Sequence, residues 1–121
     1  MVGTHLPVPE LRDDAYRAAW TLLATDPQLT AICATTDEHA LGALRAATEA
    51  GRRIGDDLAL FSIDGTETGP HLNPALTAVT TPFDTLGASA VNAALDPSGV
   101  AAVVRQHPLT LTVRHGCGCR P

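Results

Sequence analysis

Two apolar runs in this chain end in groups able to hold a ligand. Residues 58–65 read LALFSIDG: a run of mostly apolar side chains stops at Asp64, and Gly65 follows. A carboxylate in that place has two readings. It starts an Asx-type turn ahead of glycine, or it faces a crevice and accepts charge-assisted hydrogen bonds from a ligand. The second run, residues 29–34 (LTAICA), ends in Thr35-Thr36-Asp37-Glu38. Thr35 with Glu38 fits a capping box, and Thr36 alone fits a simple N-cap. Asp37 suits the positive end of the helix that follows. A third cluster, His115, Cys117 and Cys119, has metal-ligand side chains, but three ligands within five residues are cramped and a closed zinc site takes four. No metal is expected, and the interleaved glycines suggest a flexible tail over residues 115–121.

The elements that must position these groups can be placed from periodicity. Residues 1–9 read as an opening loop. Ala15, Ala18, Ala19, Leu22 and Leu23 recur at helical spacing, giving a helix over residues 10–25 that Asp26-Pro27 stops. Residues 29–34 form a short buried strand, with Cys33 as a small core residue. A helix then runs through Ala40, Leu41, Leu44 and Ala47 to Gly51, a C′ glycine. Residues 58–63 form a second buried strand, covered by helices on both faces. Residues 64–74 are a loop, with His71 on the surface, and residues 76–80 a third strand. Thr81-Pro82 reads as N-cap and N1 of a helix carrying Phe83, Leu86, Ala90, Val91 and Ala94. Residues 100–106 are ambiguous, and residues 108–113 alternate like a closing strand. Strands alternating with helices give an α/β fold, a mostly parallel sheet flanked by helices. In such sheets ligands bind outside the carboxyl ends of the strands. If the first two strands are neighbours, Thr36, Asp37 and Asp64 share one rim. A carboxylate with no basic residue near it in sequence suits a neutral polyhydroxyl ligand and repels an anion.

Composition narrows the function further. The chain has 121 residues, enough for one domain, with 45% apolar and only 3% aromatic residues, so the core is aliphatic and alanine-rich. Net charge is -5 and the basic residues, all arginine, are scattered. That is no nucleic-acid footprint. No run approaches membrane-spanning length and the N-terminus has no signal core, so a cytoplasmic protein is expected. Three cysteines fit a reducing compartment. There is no nucleotide-binding glycine loop, nucleophile elbow or zincin motif, so no enzyme is expected and no cofactor. A phospho-accepting role for Asp64 would require a downstream lysine, and the chain has none.

The stretch TAICATTDEHALGALRAATEAGRRIGDDLALFSIDGTE, followed by LNPALTAVTTPFDTLGASAV, resembles the effector-sensing domain of the lac repressor–galactose repressor (LacI/GalR) family. The resemblance lies in the order and spacing of the segments rather than in one motif, and runs from about Asp13 to Phe83, with LTVRHGCGCRP as the closing strand and tail. It implies one lobe of a periplasmic-binding-protein-like type I sensor, with a sugar-like effector in the cleft between two lobes. By that resemblance Asp64 contacts effector hydroxyls, Thr36 stands where the family usually has an effector-contacting asparagine, and Phe83 packs at the cleft mouth. Asp37 matches the acidic residue beside that asparagine and is the rim's fourth candidate. A threonine offers a shorter hydroxyl in place of an amide that both donates and accepts.

The implied organisation assigns residues 1–81 and 108–114 to the C-terminal lobe. Residues 82–95 become the helix that packs on the N-terminal lobe, which is expected to be missing along with the helix-turn-helix head. The expected function is effector sensing for a LacI-type transcriptional regulator, as a homodimer, without direct nucleic-acid or membrane contact from this chain. Two alternatives stand beside it: a non-binding remnant or dimerisation module of a truncated regulator, and a solute-binding protein of a transport system, against which the missing signal peptide counts.

Overall fold

Helix α1 spans Arg12–Thr25 and buries Ala15, Ala19 and Leu23, one residue per helical turn. Helix α2 spans Asp37–Glu49 and buries Ala40, Ala43, Ala46 and Ala47 along the matching stripe. Small side chains on both stripes let the helices approach closely. At Gly42 an added Cβ would stand 2.3 Å from the Arg12 carbonyl oxygen and 2.7 Å from the Tyr16 nitrogen. The computed structural model describes Thr4, Pro7 and residues 11–96 and 105–119.

Strands β1 (Ala31–Ala34), β2 (Ala59–Asp64), β3 (Thr77–Thr80) and β4 (Thr110–Thr112) form one sheet in that order. The first three are parallel, with Ala34 opposite Ser62 and Ser62 opposite Ala78; β4 runs antiparallel to β3. Leu58, Leu60 and Leu76 project from this sheet into the alanines of α1 and α2, and these residues are the core. Helix α2 ends as its glycine foretells. Gly51 has φ 74°, and the Arg52 amide donates back to the Ala47 carbonyl at 2.9 Å. Arg52 then ties this end to the strand layer, donating to the Leu29 carbonyl at 2.7 Å and to Asp57 at 3.0 Å.

Four expectations are corrected. Among the described residues helices cover only one face of the sheet. Ile63 and Leu111 are exposed on the other, because α1 and α2 lie on the same side. Cys33 is exposed rather than a core residue, since β1 is an edge strand and Cys33 stands in register with Phe61 on the outer face. The segment expected to be a loose tail is seated. His115–Cys117 form a 3-10 turn whose Gly116 amide donates to the Ala75 carbonyl at 2.8 Å. Helix α3 spans Phe83–Ala94, so Pro82 rather than Thr81 holds the N-cap position, and the helix buries none of its residues. The loop assigned to residues 1–9 lies outside the described residues except at Thr4 and Pro7, and residues 100–106 do so except at Arg105 and Gln106.

Candidate functional site

Parallel pairing of β1 and β2 brings their carboxyl ends side by side. Thr36 and Asp37 follow β1 directly, and Asp64 is the last residue of β2. The Asp37 amide, in the first turn of α2, donates to Oδ2 of Asp64 at 3.3 Å. That amide is one of the unsatisfied donors of a helix N-terminus, where a carboxylate is favoured. No other hydrogen bond to the Asp64 carboxylate is made among the described residues, and the residue is half-buried.

Asp64 is also the one described non-glycine residue with positive φ, at 123°. A side chain there carries a backbone cost of about 1–3 kcal/mol, and such strain collects at functional positions. The chain turns over it on Gly65 (φ 69°), where a Cβ would lie 2.4 Å from Oγ1 of Thr80. The Asp64 carbonyl accepts from the Thr81 amide at 2.8 Å, and the Phe83 amide donates to the Thr81 carbonyl at 2.9 Å. This ladder carries the start of α3 to the same rim. Phe83 stands 54% exposed there.

Thr36 is the N-cap of α2, its Oγ1 accepting from the His39 amide at 3.1 Å. A capping hydroxyl keeps its proton for a second partner, so the cap and ligand readings are compatible. The capping-box alternative is not used: Thr35 instead bonds Nδ1 of His39 at 2.8 Å, and Glu38 pairs with Arg12 at 2.6 Å.

Asp37 is differently placed from its neighbours. Only 4% exposed, it accepts from Ser62 Oγ at 2.5 Å and from the Thr66 amide and hydroxyl at 2.7 and 2.6 Å. Burial by itself raises this carboxyl, but the hydrogen bonds from Ser62, Thr66 and the Gly65 backbone outweigh it and hold the group below the usual carboxylate value. The partners Ser62 and Thr66 did not stand out in the sequence. The available signal was a hydroxyl inside the apolar stretch LALFSI, which a buried strand admits only with a partner.

An apolar concavity lies elsewhere among the described residues. A groove of about 410 Å³ runs along the open edge of β1 under α1, past Ala18, Leu22, Ile32 and Cys33 to Thr35 and His39. Its walls are mostly apolar, and none of Thr36, Asp64 and Phe83 lines it. The polar groups that can orient a hydroxylated ligand converge at the strand ends. No group of three or more metal-ligating side chains occurs among the described residues.

Comparison with known proteins matches the same architecture. Residues 4–117 fit the model of the periplasmic binding protein-like domain family. The HTH-type transcriptional repressor PurR of Klebsiella pneumoniae strain 342 is 34% identical over 104 residues, covering 79% of this chain and 30% of the repressor. The ribose operon repressor of Halalkalibacterium halodurans is 42% identical over 76 residues, covering 63% of this chain and 23% of the repressor. Among solved structures, a LacI family transcriptional regulator from Arthrobacter sp. FB24 in complex with lactose superposes with a TM-score of 0.80 at 28% identity, covering 91% of this chain and 43% of the regulator. A LacI family regulator from Enterococcus faecium with bound ribose gives 0.80 at 25%, covering 92% and 42%. The chain thus spans under a third of the curated relatives and under half of the solved neighbours.

Proposed function

We propose, from the premise that this chain belongs to the periplasmic binding protein-like domain family as a LacI/GalR-type effector-binding domain fragment, that it senses a neutral sugar for a transcriptional regulator. The observation that carries this reading is the rim itself. A strained Asp64 presents its carboxylate beside the capping Thr36 hydroxyl, with the Phe83 ring at the start of α3. Asp64 accepts hydrogen bonds from two sugar hydroxyls, Thr36 donates or accepts a third, and Phe83 covers the apolar face of the ring. Asp37 acts as the bolt behind the rim, holding α2 and the residue 65–66 turn at fixed spacing. The bound lactose and ribose of the two neighbours agree with a neutral polyhydroxyl ligand.

The rim is one wall of a cleft. Helix α3, whose Phe83, Leu86 and Val91 are exposed together with Leu95 at its end, is the element we assign to docking on the rest of the sensor. Operator binding and dimerisation belong to the assembled cytoplasmic regulator. No helix among the described residues is long and apolar enough to cross a membrane.

The test is isothermal titration of the chain with ribose, galactose and lactose, alongside Asp64→Ala. Millimolar-range binding is expected from half a cleft, of the order of 4 kcal/mol, and its loss in Asp64→Ala. Absence of heat with every sugar, or equal binding by the variant, would remove Asp64 from the site.

A further inference from the structure

The seated turn at the chain's far end carries two thiols that the effector reading does not use. Cys117 closes the 3-10 turn, Gly118 follows with φ 75°, and Cys119 comes next. The turn is fixed to the floor of the sheet, at the opposite end of β2 and β3 from Asp64. Gly116 sits so close that an added Cβ would lie 3.0 Å from the Leu60 carbonyl oxygen and 3.2 Å from that of Ala75. At Gly118 a Cβ would stand 2.8 Å from the Gly55 carbonyl oxygen. Just before the turn, Arg114 donates through Nη1 to the Leu76 carbonyl at 2.7 Å, and its backbone N–H and C=O both bond the Thr77 hydroxyl at 2.9 Å. On this base the two thiols stand on one turn across Gly118, the Cys119 thiol 4.0 Å from the Cys117 carbonyl oxygen. Cys119 is exposed and Cys117 half-buried, its thiol donating to the Arg114 carbonyl at 3.3 Å.

We propose that Cys117 and Cys119 form a dithiol modification site that closes to an intrachain disulfide by exchange with a small soluble disulfide of the glutathione type. The Cys117 thiolate attacks one sulfur of the reagent. The reagent's S–S bond breaks, a mixed disulfide forms on Cys117, and the leaving thiolate takes a proton from solvent. Cys119 then releases its proton to solvent and attacks the Cys117 sulfur, expelling the second thiolate, which is protonated in turn. Two protein thiols are oxidised and one external disulfide is reduced to two thiols.

The asymmetry of the pair agrees with these roles. Burial raises Cys117, but hydrogen bonds from Cys119, Thr77 and nearby backbone groups outweigh it and place its thiol below the ordinary value. Cys119 is raised first by the neighbouring Cys117 side chain and then by burial. The lower thiol supplies the thiolate that attacks, and its neighbour resolves.

The full chain incubated near neutral pH with oxidised glutathione, acid-quenched, alkylated and mapped by peptide mass spectrometry tests this. The expected product lacks two hydrogens in the peptide holding both cysteines, while Cys33 is alkylated. Cys119→Ser is expected to trap the glutathione adduct on Cys117, and Cys117→Ser to react at Cys119 at least about fivefold more slowly than Cys117 reacts in wild type. Separate adducts on the two cysteines without a crosslink would overturn the proposal. So would modification of Cys33 as fast as Cys117, or a Cys117→Ser rate equal to wild type. The wild-type map needs no variant to fold.

Discussion

At the scale of single residues, two neighbouring aspartates are separated in role by their surroundings. Asp37 has its oxygens taken by Ser62 and Thr66 inside the fold, whereas Asp64 meets one backbone amide and the rim. The folded Asp37 carboxyl titrates below its unfolded value of about 3.9. Its stabilisation is therefore present above that value and is lost as pH falls through the folded pKa. Asp37→Asn is expected to cost about 1–3 kcal/mol at neutral pH and to flatten the acid limb of stability below about pH 4. Urea unfolding across the acid range checks both, and an unchanged acid limb would contradict this role of Asp37. Asp64 carries a different signature. At φ 123°, Asp64→Gly should leave the chain about 1 kcal/mol more stable than Asp64→Ala, since only glycine adopts that backbone without strain. Equal urea midpoints for the two would mean that the strain is not there. Both aspartates were legible as rim candidates in the sequence. What separated them, a Ser62 hydroxyl arriving from the next strand, is a tertiary contact that no local pattern encodes.

At the scale of elements, α1, α2 and the three parallel strands could be read from periodicity because their apolar positions repeat over several turns and face one core. The boundary errors are small: β1 begins at Ala31 and β3 at Thr77, and Pro82 holds the cap position of α3. The larger errors concern exposure. The apolar stretch around Cys33 and Ile63 reads as two-sided burial, but the sequence pattern reports what a strand is suited to bury, not which neighbour is present. Helix α3 makes the same point: it carries the apolar Leu86 and Val91 and buries nothing here. Leu86→Ser with Val91→Ser is therefore expected to change the stability of this chain by less than about 0.5 kcal/mol, whereas Leu60→Ala in the core should cost about 2–5 kcal/mol. A loss above about 1 kcal/mol for the α3 pair, measured by urea denaturation, would place that helix against the chain's own core. The tail was misread because glycines suggest freedom. Here Gly116 and Gly118 are small so that the backbone can lie against Leu60, Ala75 and Gly55.

At the scale of the whole molecule, the sheet has two working ends. The carboxyl ends of β1 and β2, with the start of α3, present the rim proposed to meet the effector. The opposite end seats the Cys117–Cys119 turn, and the core of alanines and leucines between them fixes both. The central claim is that a sugar meets this chain at the rim rather than in the apolar groove along β1. Backbone amide NMR of the labelled chain titrated with ribose and with lactose tests it most directly. The expected result is saturable shifts gathered at Thr36, Asp37, Gly65, Thr66 and Phe83, absent in Asp64→Ala. Shifts gathered instead at Ala18, Leu22, Ile32 and Cys33, or no saturable shift with either sugar, would contradict it.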